Sequence, residues 1–240
     1  MSILQLRDIE KRFGGVKAVS GVSFECDRGE VVGLIGPNGA GKTTVLNLLS
    51  GFYKADAGQI TLDGTPVTTL SPQRISRLGI RRTFQNNKLF GELTVLDNVV
   101  MGLLAMRRVS MKHARRDASV LLDRVGLGQH ASRLPGGLPY AFRRRIEIAR
   151  ALAGEPKVLL LDEPAAGMHA DERHALAQLV QVIAAQGTTV LVIEHDMALI
   201  DRLCTRVIVM NFGQVLAQGT MAEVRQCEAV KEAYFGRSAQ

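Results

Sequence analysis

The stretch VVGLIGPNGAGKTT, residues 31–44, limits the fold more than any other part of the chain. Gly36, four residues, then Gly41-Lys42-Thr43 has the spacing of a P-loop, set between an apolar run from Val31 to Ile35 and a helix-like run from Gly41 to Ser50. Gly36, Gly39 and Gly41 let the backbone bend so that successive N–H groups point inward at phosphate oxygens. The helix that follows aims its positive end at the same point. Pro37, Asn38 and Ala40 complete the loop, and Thr44 follows it. Lys42 supplies a point charge for β- and γ-phosphates, and the Thr43 hydroxyl is a donor suited to Mg2+. A phosphate-rich nucleotide is the expected ligand.

A second stretch, VLLLDEP, matches that chemistry. Four apolar residues predict a buried strand that delivers Asp162 and Glu163 at its C-terminal end, where ligands of α/β sheets collect. Asp162 is placed to hold Mg2+ through water, and Glu163 to polarise an attacking water as general base. Buried-strand patterns at Val158–Leu161 and Thr188–Ile193 flank a helical stretch from about Asp171 to Ala185. That alternation predicts an α/β fold with a mainly parallel sheet. Gln59-Ile60-Thr61-Leu62 runs into Asp63-Gly64, a tight-hairpin signal, so an antiparallel piece is expected beside the main sheet.

The middle of the chain reads differently. From Thr94 to about Arg150 the pattern is helical, with Thr94 and Asp97 as an N-cap and its reciprocal acid. Ala118, Leu121, Leu122 and Val125 share one helix face. A helical insertion in an α/β core is the expected organisation.

Composition narrows the classes further. No apolar run is long enough to cross a bilayer, and the charged start MSILQLRDIEKRF lacks a secretory signal. Three widely spaced cysteines without a CxxC pair point to a reducing compartment with no disulfide framework and no zinc site. The net charge of +7 leaves nucleic acid, an anionic membrane and a phosphate-rich ligand as candidate partners. Aromatics make up only 5% of the chain and do not interleave a basic run, so no nucleic-acid surface is expected. The basic stretches RRVSMKHARR and Arg143–Arg145 read either as solvated helix faces or as contacts to a membrane partner or anionic headgroups.

These two motifs, with TFQ, LPYAF and IEHD, resemble the ATP-binding subunits of ABC transporters, and the likeness covers essentially the whole chain. FGGVKAV, RRTFQNNKLFGELTVLDNV, RRIEIARAL, LDEPAAGM, VIEHDM and VKEAYFG are similar to the group serving importers of branched-chain (hydrophobic) amino acids. The resemblance implies an α/β P-loop NTPase fold with a RecA-like core, an antiparallel β subdomain and an inserted α-helical subdomain. On that reading residues 1–240 form one such ATPase domain, with 1–85 and 157–240 as core and β subdomain and 86–156 as the helical subdomain. It implies ATP and Mg2+ as cofactors, with Phe13 stacking on adenine, Gln85 touching Mg2+ and the attacking water, and His195 contacting the γ-phosphate. It also implies a head-to-tail dimer with a second ATP-binding subunit, transmembrane permease subunits, and indirectly a periplasmic solute-binding protein. The location implied is peripheral, at the cytoplasmic face of the inner membrane.

The family signature LSGGQ lies a fixed distance before the Mg2+-holding aspartate. Counting back from Asp162 selects Leu138, not Leu134, so LPYAF is the signature. It departs from the family pattern. Pro139 stands where the serine would offer its hydroxyl. Tyr140 replaces the first glycine, a change the importer group tolerates. Ala141 is expected to put a methyl group where bare backbone should approach phosphate. Phe142 lacks the amide of glutamine, and His169 stands where the family usually has Asn or Asp. Because a signature completes its partner's site, a homodimer would be impaired twice and a heterodimer with an intact partner once. Tolerated variation and a silenced site both fit the sequence, and a non-transport ABC ATPase or an ATP-binding regulatory module with little hydrolysis is the alternative reading.

Overall fold

The computed structural model describes residues 2–83, 89–106 and 109–235. The chain opens with two long strands, β1 (Ser2–Phe13) and β2 (Val16–Asp27), paired antiparallel. β3 (Val31–Ile35) follows and runs through the P-loop into α1 (Lys42–Leu49). β4 (Ala57–Leu62) returns to pair with β1 and turns into the short β5 (Thr65–Pro66). Asp63 and Gly64 make that turn with φ of 51° and 74°, the left-handed pair that the Asp-Gly signal anticipates. These four strands form one antiparallel sheet, in the order β2-β1-β4-β5.

After α2 (Pro72–Leu78) and β6 (Ile80–Arg82) comes a helical stretch: α3 (Val95–Met106), α4 (Met111–Arg124) and α5 (Tyr140–Leu152). Thr94 starts α3 as expected. Its hydroxyl accepts from Asp97 N–H at 3.0 Å and donates to the Asp97 carboxylate at 2.7 Å. The chain then completes β7 (Val158–Asp162), α6 (Ala170–Ala185), β8 (Thr189–Ile193), α7 (Met197–Leu203), β9 (Arg206–Asn211), β10 (Gln214–Gly219), α8 (Met221–Gln226) and α9 (Glu228–Phe235). The second sheet has the order β10-β9-β3-β8-β7-β6 and is parallel except for the β9–β10 hairpin. Among the described residues no helix is long and apolar enough to cross a membrane.

The central strands β3, β7 and β8 are buried along their whole length, which their continuous apolar runs require. Their side chains alternate between two cores. Leu159, Leu161, Val190 and Val192 face the layer of α3–α7, and Leu160, Leu191 and Ile193 face α1 and the antiparallel sheet. Each fully buried leucine contributes about 1.5–3 kcal/mol, so the sheet's centre is rigid. That rigidity matters because the C-terminal ends of these three strands carry the P-loop, the acidic pair and His195.

Candidate nucleotide-binding site

The loop from Gly36 to Gly41 leaves the end of β3 with positive φ at Gly36 (151°), Gly39 (80°) and Gly41 (100°). At Gly41 a Cβ would stand 2.5 Å from the Ala18 carbonyl oxygen, and at Gly36 it would collide with the Met210 carbonyl. Glycine is therefore required at both positions by backbone angle and by space. The β9–β10 hairpin holds the loop from behind, with Gly213 N–H donating to the Ala40 carbonyl at 3.0 Å. α1 begins at Lys42 with no side-chain cap and no acid in its first turn. Its positive end is thus left to an anion.

Lys42 is buried, and its ammonium donates to the Gly36 carbonyl at 2.7 Å and the Pro37 carbonyl at 2.9 Å. Burial lowers its pKa, and the carboxylates of Glu163 and Asp162 act in the opposite sense. Thr43 is exposed at the mouth and Thr44 is half-buried.

Asp162 closes β7 and is 5% exposed. Its Oδ2 accepts from Arg82 Nη2 at 2.7 Å. The next residue, Glu163, has φ of 45°, and its N–H donates to the Ile193 carbonyl at 2.9 Å. This left-handed turn swings the carboxylate toward β8, where His195 Nε2 meets Glu163 Oε1 at 3.0 Å. Two residues 32 positions apart are brought together by adjacent parallel strands. A carboxylate held by an imidazole and partly open to solvent is a competent general base for water. Thr43 and Asp162 offer a hydroxyl and a carboxylate, hard oxygen donors that fit Mg2+ once phosphate supplies further oxygens.

Two buried side chains support this arrangement and were not singled out from the sequence. Glu194 accepts from Ala165 N–H at 2.7 Å and from His195 N–H at 3.2 Å, tying the loop after Glu163 to the strand that carries His195. Burial pushes its pKa up. Arg144, on α5, is fully buried and donates to Glu147 Oε2 at 2.7 Å, the Asp162 carbonyl at 2.6 Å and the Glu163 carbonyl at 3.3 Å. It joins α5 to the acidic pair.

Phe13 lies at the end of β1, 42% exposed, edge-on to Tyr53 with ring centroids 5.0 Å apart. An exposed aromatic edge beside the P-loop layer suits a base; Tyr53 was not anticipated. Gln85 lies outside the described residues.

LPYAF, expected from the sequence to be the signature, leads into α5. Leu138 is buried, Pro139 precedes the helix, and no side chain caps it. Tyr140 lies under the Arg143 guanidinium, 5.8 Å from its ring centre, and Phe142 packs on His130 at 5.1 Å with Arg145 above it at 5.8 Å. Ala141 corrects the sequence-based expectation. It is 2% exposed and belongs to the helical core, so its methyl group points into its own chain and not outward. The helical period explains this, because the inward position falls one residue after Tyr140 and three before Arg144. The structure therefore removes one of the three objections to LPYAF. His169 precedes α6, where its N–H donates to Glu172 Oε2 at 2.9 Å.

In the basic stretch around α4, Arg115 and Arg116 are more than half exposed and pair with Asp97 and Asp117, while Arg107 and Arg108 lie outside the described residues. A groove of about 470 Å3 opens between α2, β6, α3 and α5, lined among others by Ser76, Arg77, Arg81, Met106 and Arg150. Burial lowers the Arg81 pKa to about 10, so this wall keeps its positive charge at neutral pH.

Residues 19–166 match the family described as ABC transporter. The chain is 42% identical to the high-affinity branched-chain amino acid transport ATP-binding protein LivG of Salmonella typhimurium, over 98% of each chain. It is 40% identical to BraF of Pseudomonas aeruginosa, likewise a high-affinity branched-chain amino acid transport ATP-binding protein, over 98% of each. Among solved structures, a nucleotide-free ATP-binding cassette from an ABC transporter superposes with a TM-score of 0.89 at 32% identity, covering 98% of this chain and all of that one. The ADP conformation of the cassette MJ1267 superposes equally well, at 33% identity, covering 98% and 99% of the two chains.

Proposed function

We propose, from the premise that this chain belongs to the ABC transporter family as an ATP-binding and ATP-hydrolysing cassette, that it energises an importer of branched-chain amino acids or related small amides. The reading of substrate rests on likeness to LivG and BraF along nearly the whole chain. In this reading the cassette sits at the cytoplasmic face of the inner membrane, docked on transmembrane permease subunits that receive solute from a periplasmic binding protein. The cationic groove between α2 and α5 is the permease's seat, and it favours an acidic cytoplasmic loop. Residues 86–156 act as the helical subdomain, and the flanking segments as core.

The P-loop amides and Lys42 bind the phosphates, Phe13 takes the adenine, and Glu163 draws a proton from water as it attacks the γ-phosphate. His195 orients that carboxylate. Thr43, Asp162 and Gln85 would hold Mg2+, which on binding neutralises charge on the phosphate oxygens. The observation that carries the reading is the 3.0 Å pairing of Glu163 with His195 at the ends of β7 and β8, the second of which pairs with the P-loop strand β3.

A second cassette completes each site, and we place this chain in a heterodimer. Pro139 and Phe142 lack the donors of serine and glutamine, and loss of one preorganised donor costs about 3 kcal/mol in such a transition state. The partner's P-loop site therefore bears the loss, while the site holding Glu163 is completed by the partner's signature. The test is Glu163→Gln in the purified chain with its partner. Turnover should fall by about 10²–10⁴-fold with ATP affinity retained. Undiminished turnover would remove Glu163 from the chemistry, and loss of ATP affinity would assign it to binding.

A further inference from the structure

Arg82 takes no part in the proposed chemistry, yet its side chain touches Asp162 and the helix that carries Thr43. It ends β6, opposite Leu160 in the parallel ladder, two residues before Asp162. Its Nη2 donates to Asp162 Oδ2 at 2.7 Å, and both side chains are only 7% exposed. Its Nη1 donates to Asn47 Oδ1 at 2.6 Å. Asn47 lies four residues after Thr43, on the same face of α1. One planar guanidinium thus spans the two elements that carry the hydroxyl and the carboxylate. Arg144 already fixes the main chain of Asp162 through its carbonyl. What remains adjustable is the carboxylate, and that is the group Arg82 holds.

We infer that Arg82 is a positioning residue that sets the separation and orientation of Thr43 and Asp162 for Mg2+, and the inference rests on the reading that these two side chains hold it. A buried ion pair is weak as a source of stability, because desolvation offsets the attraction. Its geometric effect is strong, because groups that hydrogen-bond a ligating carboxylate govern metal affinity by about 10–100-fold. A fork that reaches two acceptors on different elements is also something a lysine cannot reproduce. Arg82 and Ser50 further line the groove between α2 and α5, so the same side chain meets both the Mg2+ ligand and the groove wall.

The test is calorimetric titration of ADP into the purified full chain, across a range of MgCl2 concentrations and in excess chelator. Arg82→Met should raise the Mg2+ concentration needed to strengthen ADP binding by about 10–100-fold, and leave affinity in chelator within about twofold. Arg82→Lys should recover only part of the loss. Asn47→Ala, which keeps the ion pair and removes the 2.6 Å contact to α1 but not the longer one to Ser50 at 3.4 Å, should shift the Mg2+ dependence the same way by less. An unmoved Mg2+ dependence in either the Arg82→Met or the Asn47→Ala chain would overturn the inference. So would an equal loss of affinity in chelator, which would mark general damage to the P-loop. A wild-type chain whose ADP affinity ignores Mg2+ would defeat the site reading itself, and this inference with it.

Discussion

Replacing Arg144 by methionine removes a buried cation of similar length and puts an apolar chain in its place. The guanidinium is 0% exposed and meets Glu147 at 2.7 Å, with the Glu147 side chain 2% exposed. Removing one member of such a pair takes from the other its 2.7 Å counter-charge in a low-dielectric core, at about 3–5 kcal/mol. For a chain of 240 residues, each kcal/mol moves the midpoint of thermal unfolding by about 2–4 °C. The melting temperature should therefore fall by about 6–20 °C. Pairing the change with Glu147→Met takes the buried carboxylate away as well. What is left is the cost of the Asp162 and Glu163 carbonyls that have each lost this donor, about 1–3 kcal/mol apiece. The double variant should thus be more stable than the single Arg144→Met variant, a non-additivity expected of residues in contact. Differential scanning calorimetry, supported by urea unfolding, reads both. A fall of less than about 2 °C for Arg144→Met, or a double variant less stable than the single, would refute the view that this arginine is held by a buried charge pair.

Ala141→Gly restores the family glycine but deletes a buried methyl group within α5; it should cost about 1 kcal/mol or more in unfolding free energy and leave turnover unchanged. A rise in turnover would show that the methyl group faces the partner's nucleotide after all. Asp196 starts α7, and its carboxylate accepts from Leu199 N–H and Ala198 N–H and pairs with Arg173, which hold its pKa below the ordinary 3.8. Because the folded pKa is depressed, the stabilisation is present above pH 3.8 and is lost as pH falls through the folded value. Asp196→Asn should accordingly lower the melting temperature at pH 7, and the gap from wild type should narrow on acidification below about pH 4; a constant gap would contradict the assignment.

The site was legible where chemistry demands particular residues at a particular spacing. Gly36 and Gly41 are forced by their backbone angles and by the carbonyls of Met210 and Ala18, so the loop announces itself in the sequence. The continuous apolar runs of β3, β7 and β8 announce the central sheet for an equally direct reason. The long β1–β2 hairpin was not anticipated, although it covers one face of the core. Register shifts between Leu6 and Ile9, and at Glu10 and Arg12, break its alternation of inward and outward residues. Arg144 was hidden by its neighbours. In RRRIEI three consecutive arginines read as one solvated face, whereas the helix turns only the middle one inward. The available signal was Glu147, an acid three residues on and flanked by Ile146 and Ile148. Glu194 was hidden in the same way, as a polar residue closing an apolar strand. Ala141 shows the limit of motif comparison. The residue type was plain, but the direction of its methyl group depends on helical phase.

The contact between Gly213 N–H and the Ala40 carbonyl joins segments from opposite ends of the chain. As the polypeptide leaves the ribosome, the residues that will grip phosphate emerge early, and their rear support arrives only when the β9–β10 hairpin is synthesised. Nascent or proteolysed chains that stop short of residue 206 contain every glycine of the P-loop but lack its backing. Such fragments should not retain nucleotide firmly, which delays ligand capture until the β9–β10 hairpin has been made.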